Sequence, residues 1–259
     1  PEANEVRVQV LATSANFTDV MIRKGMYPEV KKKPPFSPGY DMVGIVDGIG
    51  TDVTRFREGD KVADMTVTGS YSEYICVPEK QLIHVPDALD PADATSIILS
   101  YVTAWQMLHR IAKIRKGQKI LVHGAGGAVG MAMLQLGKLM DLEMYGTASG
   151  LKHDMIKAAG AIPIDYKTTD FADYIKNHTE VGLDAVFDPI GGDNFRESFS
   201  ILRKGGKLVA YGFYNVVMGY GGSIPMDFMK LQIWNILPNR KSATFYSIGA
   251  LRRKHPDWF

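Results

Sequence analysis

The chain has 259 residues, enough for one large domain or two modest ones with ample core, and its 46% apolar and 22% charged content is that of an ordinary globular protein. A formal net charge of +2 gives little support to a nucleic-acid partner, and the basic runs at Lys31, Lys32, Lys33 and Arg252, Arg253, Lys254 read first as solvated loops. The single cysteine, Cys76, excludes a disulfide framework and any multi-cysteine zinc site and fits a reducing, cytoplasmic setting; no apolar run nears the roughly 20 residues of a membrane span.

Along the chain, Val6-Arg7-Val8-Gln9-Val10 alternates apolar and polar residues, as a half-buried strand does. Met42 to Val46, Gly59 to Ala63 and Tyr71 to Val77, the last closed by Pro78, are further short strands between turns, so the first hundred residues predict a small barrel-like β domain. From Pro91 the texture changes. Ala92 to Ala112 is rich in helix formers and free of glycine. Strands then alternate with helical segments: Lys119 to His123, Met144 to Thr147, Ile162 to Asp165, Ala185 to Asp188, Lys207 to Tyr211 and, as a sixth, Ala243 to Tyr246. This rhythm predicts a parallel, doubly wound sheet, an α/β fold of the Rossmann kind. The domain boundary is expected between residues 98 and 99. The six histidines are scattered, with none at metal-ligand spacing.

The stretch from Lys119 to Leu136 organises this second half. An apolar strand runs into Gly124-Ala125-Gly126-Gly127-Ala128-Val129-Gly130, and Val129, Ala132, Met133 and Leu136 then recur at helical spacing. Strand, glycine turn and helix together predict a dinucleotide site, because the backbone can approach a pyrophosphate whose charge sits at the helix N-terminus; an ordinary glycine turn is the other reading. The glycines are spaced Gly124, Gly127, Gly130; a strict G-x-G-x-x-G would need a glycine at Val129. After the next strand come Gly146-Thr147-Ala148-Ser149-Gly150-Leu151-Lys152, with no carboxylate to meet a ribose diol. A hydroxyl at Ser149 and a cation at Lys152 suit a 2′-phosphate, so NADPH is expected over NADH; Ser149 as a helix cap and Lys152 as a solvated lysine is the other reading, and the two are compatible.

Taken together, the β-rich opening, Gly127-Ala128-Val129-Gly130, Gly146 to Ser149, Ile164-Asp165-Tyr166, Asp188-Pro189-Ile190-Gly191-Gly192 and Tyr211-Gly212 resemble the zinc-independent quinone oxidoreductases of the medium-chain dehydrogenase/reductase superfamily. Lys152-His153 and Thr168-Thr169-Asp170 bring the likeness nearest to the vesicle amine transport protein homologues. The resemblance covers essentially the whole chain and implies a GroES-like domain over residues 1–98 and a Rossmann domain over 99–259. It implies cofactor contacts from Gly124, Gly127, Ala128 and Val129 in the turn, from Ser149, Lys152 and Tyr166 at the adenosine phosphate, and from Thr103 and Phe213 beside the nicotinamide. Ala128 stands where the family carries a glycine.

In the first domain the resemblance puts Asn16, Asp19, Tyr27 and Tyr40 at the substrate pocket, and Asn16 and Tyr27 are then expected as the catalytic hydrogen-bond donors; helix capping by Asn16 and a core role for Tyr27 remain alternatives. Tyr40, in Pro38-Gly39-Tyr40-Asp41, stands where zinc alcohol dehydrogenases place a histidine, so no metal is expected. What remains is metal-free hydride transfer from NADPH to a quinone or α,β-unsaturated carbonyl, in a protein expected to be a homodimer. An NADPH-binding, weakly catalytic adaptor peripheral to anionic membranes is the rival reading. The chain opens at Pro1 without an initiator methionine, and the family returns to its first domain after the Rossmann sheet; a chain stopping at Phe259 is therefore expected to lack that return.

Overall fold

In the computed structural model, which describes residues 1–258, the opening alternation becomes β1 (Glu5–Ala12), with Val6 and Val8 buried and Arg7 and Gln9 turned outward. Asn16 then caps α1 (Phe17–Arg23). β2 (Met42–Ile49), β3 (Lys61–Asp64), β4 (Tyr74–Pro78) and β5 (Ile83–His84) complete an antiparallel sheet in the order β4-β1-β2-β3-β5. Its core is one face of those strands: Val6, Val8, Met42, Val46, Val62 and Val77 pack with Phe56 and Leu82. β4 starts three residues later than the pattern predicts, because Tyr71 belongs to a loop whose N–H donates to the Pro38 carbonyl.

The glycine-free run is helical throughout, in several pieces. Asp90 accepts from the N–H groups of Ala92 and Asp93 to start α2 (Pro91–Ser96), with proline at the first helical position where its missing N–H costs nothing. Two wider, π-helical segments, Ile97–Tyr101 and Gln106–Ala112, flank α3 (Val102–Trp105). The chain divides into two compact units within α3, Pro1–Val102 and Thr103–Phe259.

The second unit alternates strand and helix. β6 (Lys119–His123), α4 (Ala128–Leu139), β7 (Glu143–Ala148), α5 (His153–Ala158) and β8 (Ile162–Asp165) form one half. α6 (Phe171–His178), β9 (Leu183–Asp188), α7 (Asp193–Ser200), β10 (Leu202–Ala210), α8 (Tyr214–Met218), α9 (Ile224–Ile236), β11 (Ser242–Phe245) and α10 (Ile248–Lys254) form the other. The six strands are parallel in the order β11-β10-β9-β6-β7-β8, so the winding reverses between β6 and β9. Ligands of such sheets bind outside the carboxyl ends of the strands at that reversal. Being covered on both faces, the central strands are apolar without alternation: Leu121 and Val122 in β6 and Val186 and Phe187 in β9 are fully buried. β10 begins at Leu202, five residues before its expected start, but its pairing with β9 jumps from Leu202 to Lys207 around an irregular glycine-containing stretch.

Candidate functional site

The glycine turn lies at the reversal. Gly124 adopts φ +63°, and the Gly127 N–H donates to the Gly124 carbonyl at 2.9 Å, which closes the turn one residue before α4. The first N–H groups of α4 have no partners within the helix, so their dipoles face whatever occupies the turn. At Gly130 an added Cβ would lie 2.5 Å from the Gly124 carbonyl oxygen and 2.7 Å from Ala125 Cα, which leaves no room for a side chain where helix and turn meet. Ala128, by contrast, is exposed at the first helical position, and Val129 beside it is half-buried.

The neighbouring crossover closes over this turn. Ser149 precedes a short helical turn, Gly150–Lys152, and the exposed Lys152 ammonium donates to the Gly126 carbonyl at 2.8 Å. Gly124, Gly127, Ala128, Val129, Ser149 and Lys152 therefore gather at one edge. Tyr166 is 60% exposed just past β8. The sequence offers no carboxylate near Ser149, but the fold corrects that reading. Parallel pairing sets Ala148 of β7 against Asp165 of β8, and a Cβ on Gly150 would sit 3.1 Å from the Asp165 carboxylate. Phe213 is buried, stacked on Phe245 with centroids 4.8 Å apart. Its loop stays near the turn through Pro189, whose carbonyl accepts from the Tyr214 N–H at 2.9 Å and whose ring lies 3.8 Å from a Cβ built on Gly124. Thr103 is buried in α3, on the helical run that Gln106 ties to Tyr246 after β11 by a 3.2 Å hydrogen bond.

Beneath the turn lies a polar chain that sequence reading does not single out. The Asp188 carboxylate, at the end of β9, accepts from the Ile190 N–H, the Asn194 amide and the Ser198 hydroxyl, each at 2.7 Å. Ser198 is 3.0 Å from His123 Nε2, and His123 Nδ1 is 3.0 Å from Thr147 Oγ1. Thr147 then holds the turn twice, its carbonyl accepting from the Ala125 N–H at 3.0 Å and its hydroxyl, over a longer 3.4 Å, from the Gly124 N–H. Burial pushes the His123 pKa below the ordinary 6.5, against the opposing pull of Asp188. The available signal is positional: His123 and Asp188 are polar residues ending the two apolar strands that flank the reversal.

The first unit has its own polar cluster around the start of α1. The Asp19 carboxylate is buried and accepts from the Asn16 N–H at 2.9 Å, the Gly39 N–H at 3.2 Å and the Tyr71 hydroxyl at 3.2 Å. Asn16, half-buried, directs its amide to Ser14 Oγ at 2.6 Å, and Ser14 donates in turn to the buried Asp41 at 2.6 Å. Desolvation raises the Asp41 pKa despite those hydrogen bonds from Ser14. Partial burial, with Asp19 alongside, keeps the Tyr71 phenol protonated, its pKa pushed up to about 12. The hydroxyls of Tyr27 and Tyr40 are 2.6 Å apart with the rings edge to face; Tyr40 is fully buried and Tyr27 half-buried. Asn16, Asp19, Tyr27 and Tyr40 are thus each held by a side-chain hydrogen bond, Asp19 and Tyr40 from buried positions. Among the described residues no three His, Cys, Asp or Glu side chains converge as a metal-ligand group.

Residues 2–87 match the alcohol dehydrogenase GroES-like domain family and residues 128–248 the zinc-binding dehydrogenase family. The chain belongs to the medium-chain dehydrogenase/reductase superfamily, in its zinc-independent, quinone-oxidoreductase-like branch. The rat synaptic vesicle membrane protein VAT-1 homolog is 36% identical over 221 residues, covering 85% of this chain and 54% of that protein. Human quinone oxidoreductase is 30% identical over 219 residues, or 82% of this chain and 65% of that one. Among solved structures, an Escherichia coli quinone oxidoreductase complexed with NADPH superposes with a TM-score of 0.86 at 25% identity, covering 100% of this chain and 78% of that one. The chain spans about half the length of the VAT-1 relatives it matches.

Proposed function

We propose that the second unit binds NADPH and that the first supplies hydrogen-bond donors to the acceptor oxygen of a quinone or α,β-unsaturated carbonyl, which is reduced by hydride transfer without a metal. The observation that carries this reading is the glycine turn feeding α4 at the strand reversal, with Lys152 reaching across it to Gly126. That crevice fits a dinucleotide: Gly130 lets the helix close on the turn, and the cation at Lys152 with the Ser149 hydroxyl suits a 2′-phosphate. Asp165 opposes that phosphate and limits the preference over NADH. The NADPH-bound bacterial relative and the human quinone oxidoreductase support the cofactor and the acceptor class. Bound NADPH would supply the hydride.

The protein's own part is to stabilise the charge that gathers on the acceptor oxygen. Asn16 carries two amide N–H donors, and its bond to Ser14 fixes the plane of the amide. The Tyr27 and Tyr40 hydroxyls share a 2.6 Å hydrogen bond that either can donate; with Tyr40 donating, the Tyr27 proton is left for the acceptor oxygen. Replacing Asn16→Ala together with Tyr27→Phe is expected to lower quinone reductase kcat/KM by at least about tenfold with NADPH affinity unchanged. A loss of no more than a few-fold would remove both residues from the mechanism.

A second reading is favoured by α9, which leaves Met226, Met229, Ile233 and Ile236 exposed, and by relatives named as synaptic vesicle membrane proteins. In it the chain is an NADPH-binding adaptor that meets anionic lipid peripherally, no helix among the described residues being long and apolar enough to cross a membrane. Salt-sensitive co-sedimentation with anionic vesicles, together with negligible turnover across quinones and enals, would select it.

A further inference from the structure

The buried polar chain beneath the glycine turn joins the carboxyl ends of three strands. His123 ends β6, Thr147 is next to last in β7 and Asp188 ends β9, with Ser198 contributed by α7. All four side chains are at most 3% exposed. Hydrogens can be counted along it from the carboxylate. Ser198 has one hydroxyl proton and gives it to Asp188, so toward His123 Nε2 it can only accept, and Nε2 must carry the imidazole proton. In the neutral ring Nδ1 is then an acceptor, and the Thr147 hydroxyl donates to it. With its proton committed there, Thr147 Oγ1 presents lone pairs to the Gly124 N–H. The Phe171 ring, its centroid 4.5 Å from that of His123 in an edge-to-face pair, packs on the imidazole from α6. Asp188 is the charged group bonded into the chain, and it also raises the pKa of Tyr211 after β10, though less than burial does.

We propose that His123 is a positioning residue for the glycine turn: the Ser198–Asp188 pair holds it with its proton on Nε2, which points the Thr147 hydroxyl so that Thr147 secures the Gly124 N–H and with it the first residue of the turn. Only the identity of the turn's occupant rests on the dinucleotide reading; the hydrogen-bond chain belongs to the protein alone. A satisfied polar core would require nothing of Gly124. Positioning makes that amide depend on a hydroxyl one strand away.

The test uses isotopically labelled protein near neutral pH and two variants, Thr147→Val, which keeps the shape and removes the hydroxyl, and Thr147→Ser, which keeps the hydroxyl. Long-range proton–nitrogen correlation is expected to find His123 neutral with Nε2 protonated. Thr147→Val is expected to speed Gly124 amide exchange and weaken NADPH binding, each by about tenfold, and Thr147→Ser to return both to within about twofold of the parent. A proton on Nδ1 of His123, or Gly124 exchange in Thr147→Val equal to the parent's, would overturn the proposal. Absence of NADPH binding alongside the expected tautomer and exchange rates would uphold the positioning role and remove the dinucleotide reading instead.

Discussion

His123 and Asp188 close the strands they end, and their chemistry sets a pH dependence. Because burial depresses the His123 pKa, the native protein stays unprotonated there at pH values where the unfolded chain takes up a proton. Stability from this residue is therefore complete above 6.5, the value of an ordinary histidine, and is lost as pH falls below it. Below about pH 6, urea unfolding of the parent should lose stability by up to about 1.4 kcal/mol per pH unit more steeply than His123→Asn, until the native histidine itself titrates. Equal slopes would mean that His123 titrates in the native protein as it does in the unfolded chain. Sequence reading picks out Lys152 and Ser149 as candidates, since a turn after a sheet strand is a local feature. It does not reach Asp165, whose place beside Gly150 depends on the register of β7 against β8, or the His123 chain, whose members are up to 75 residues apart in sequence.

Among the elements, the glycine turn and α4 show the closest link between sequence and packing. Gly130 has backbone atoms within 3 Å of where its Cβ would stand, and backbone cannot yield as a flexible side chain does. Gly130→Ala is expected to cost about 3 kcal/mol in chemical denaturation, at the upper end of overpacking effects, because α4 must lift from the turn. A cost below about 0.5 kcal/mol would show that the turn relaxes freely. Elements with a clear period were legible: β1 by alternation, β6 and β9 as apolar runs. β5 was not, because two residues carry no period, and the start of β10 is masked by the polar run Arg203-Lys204-Gly205-Gly206. The π-helical segments within 97–112 were also hidden, since their composition is that of any helix.

For the whole molecule, the change from turn-rich strands to alternating strands and helices separates an antiparallel sheet from a parallel one, and both are present. The expected boundary at residues 98 and 99 and the division after Val102 both fall inside one helical run, where composition has no break. The second unit is proposed as an NADPH site with Lys152 at the 2′-phosphate. Its most direct test is a binding titration of NADPH against NADH on the parent chain and on Lys152→Ala. NADPH is expected to bind more tightly than NADH and to lose about tenfold in affinity in the variant, with NADH affinity little changed. Failure of the parent to bind either dinucleotide, or an equal loss of both in Lys152→Ala, would contradict it.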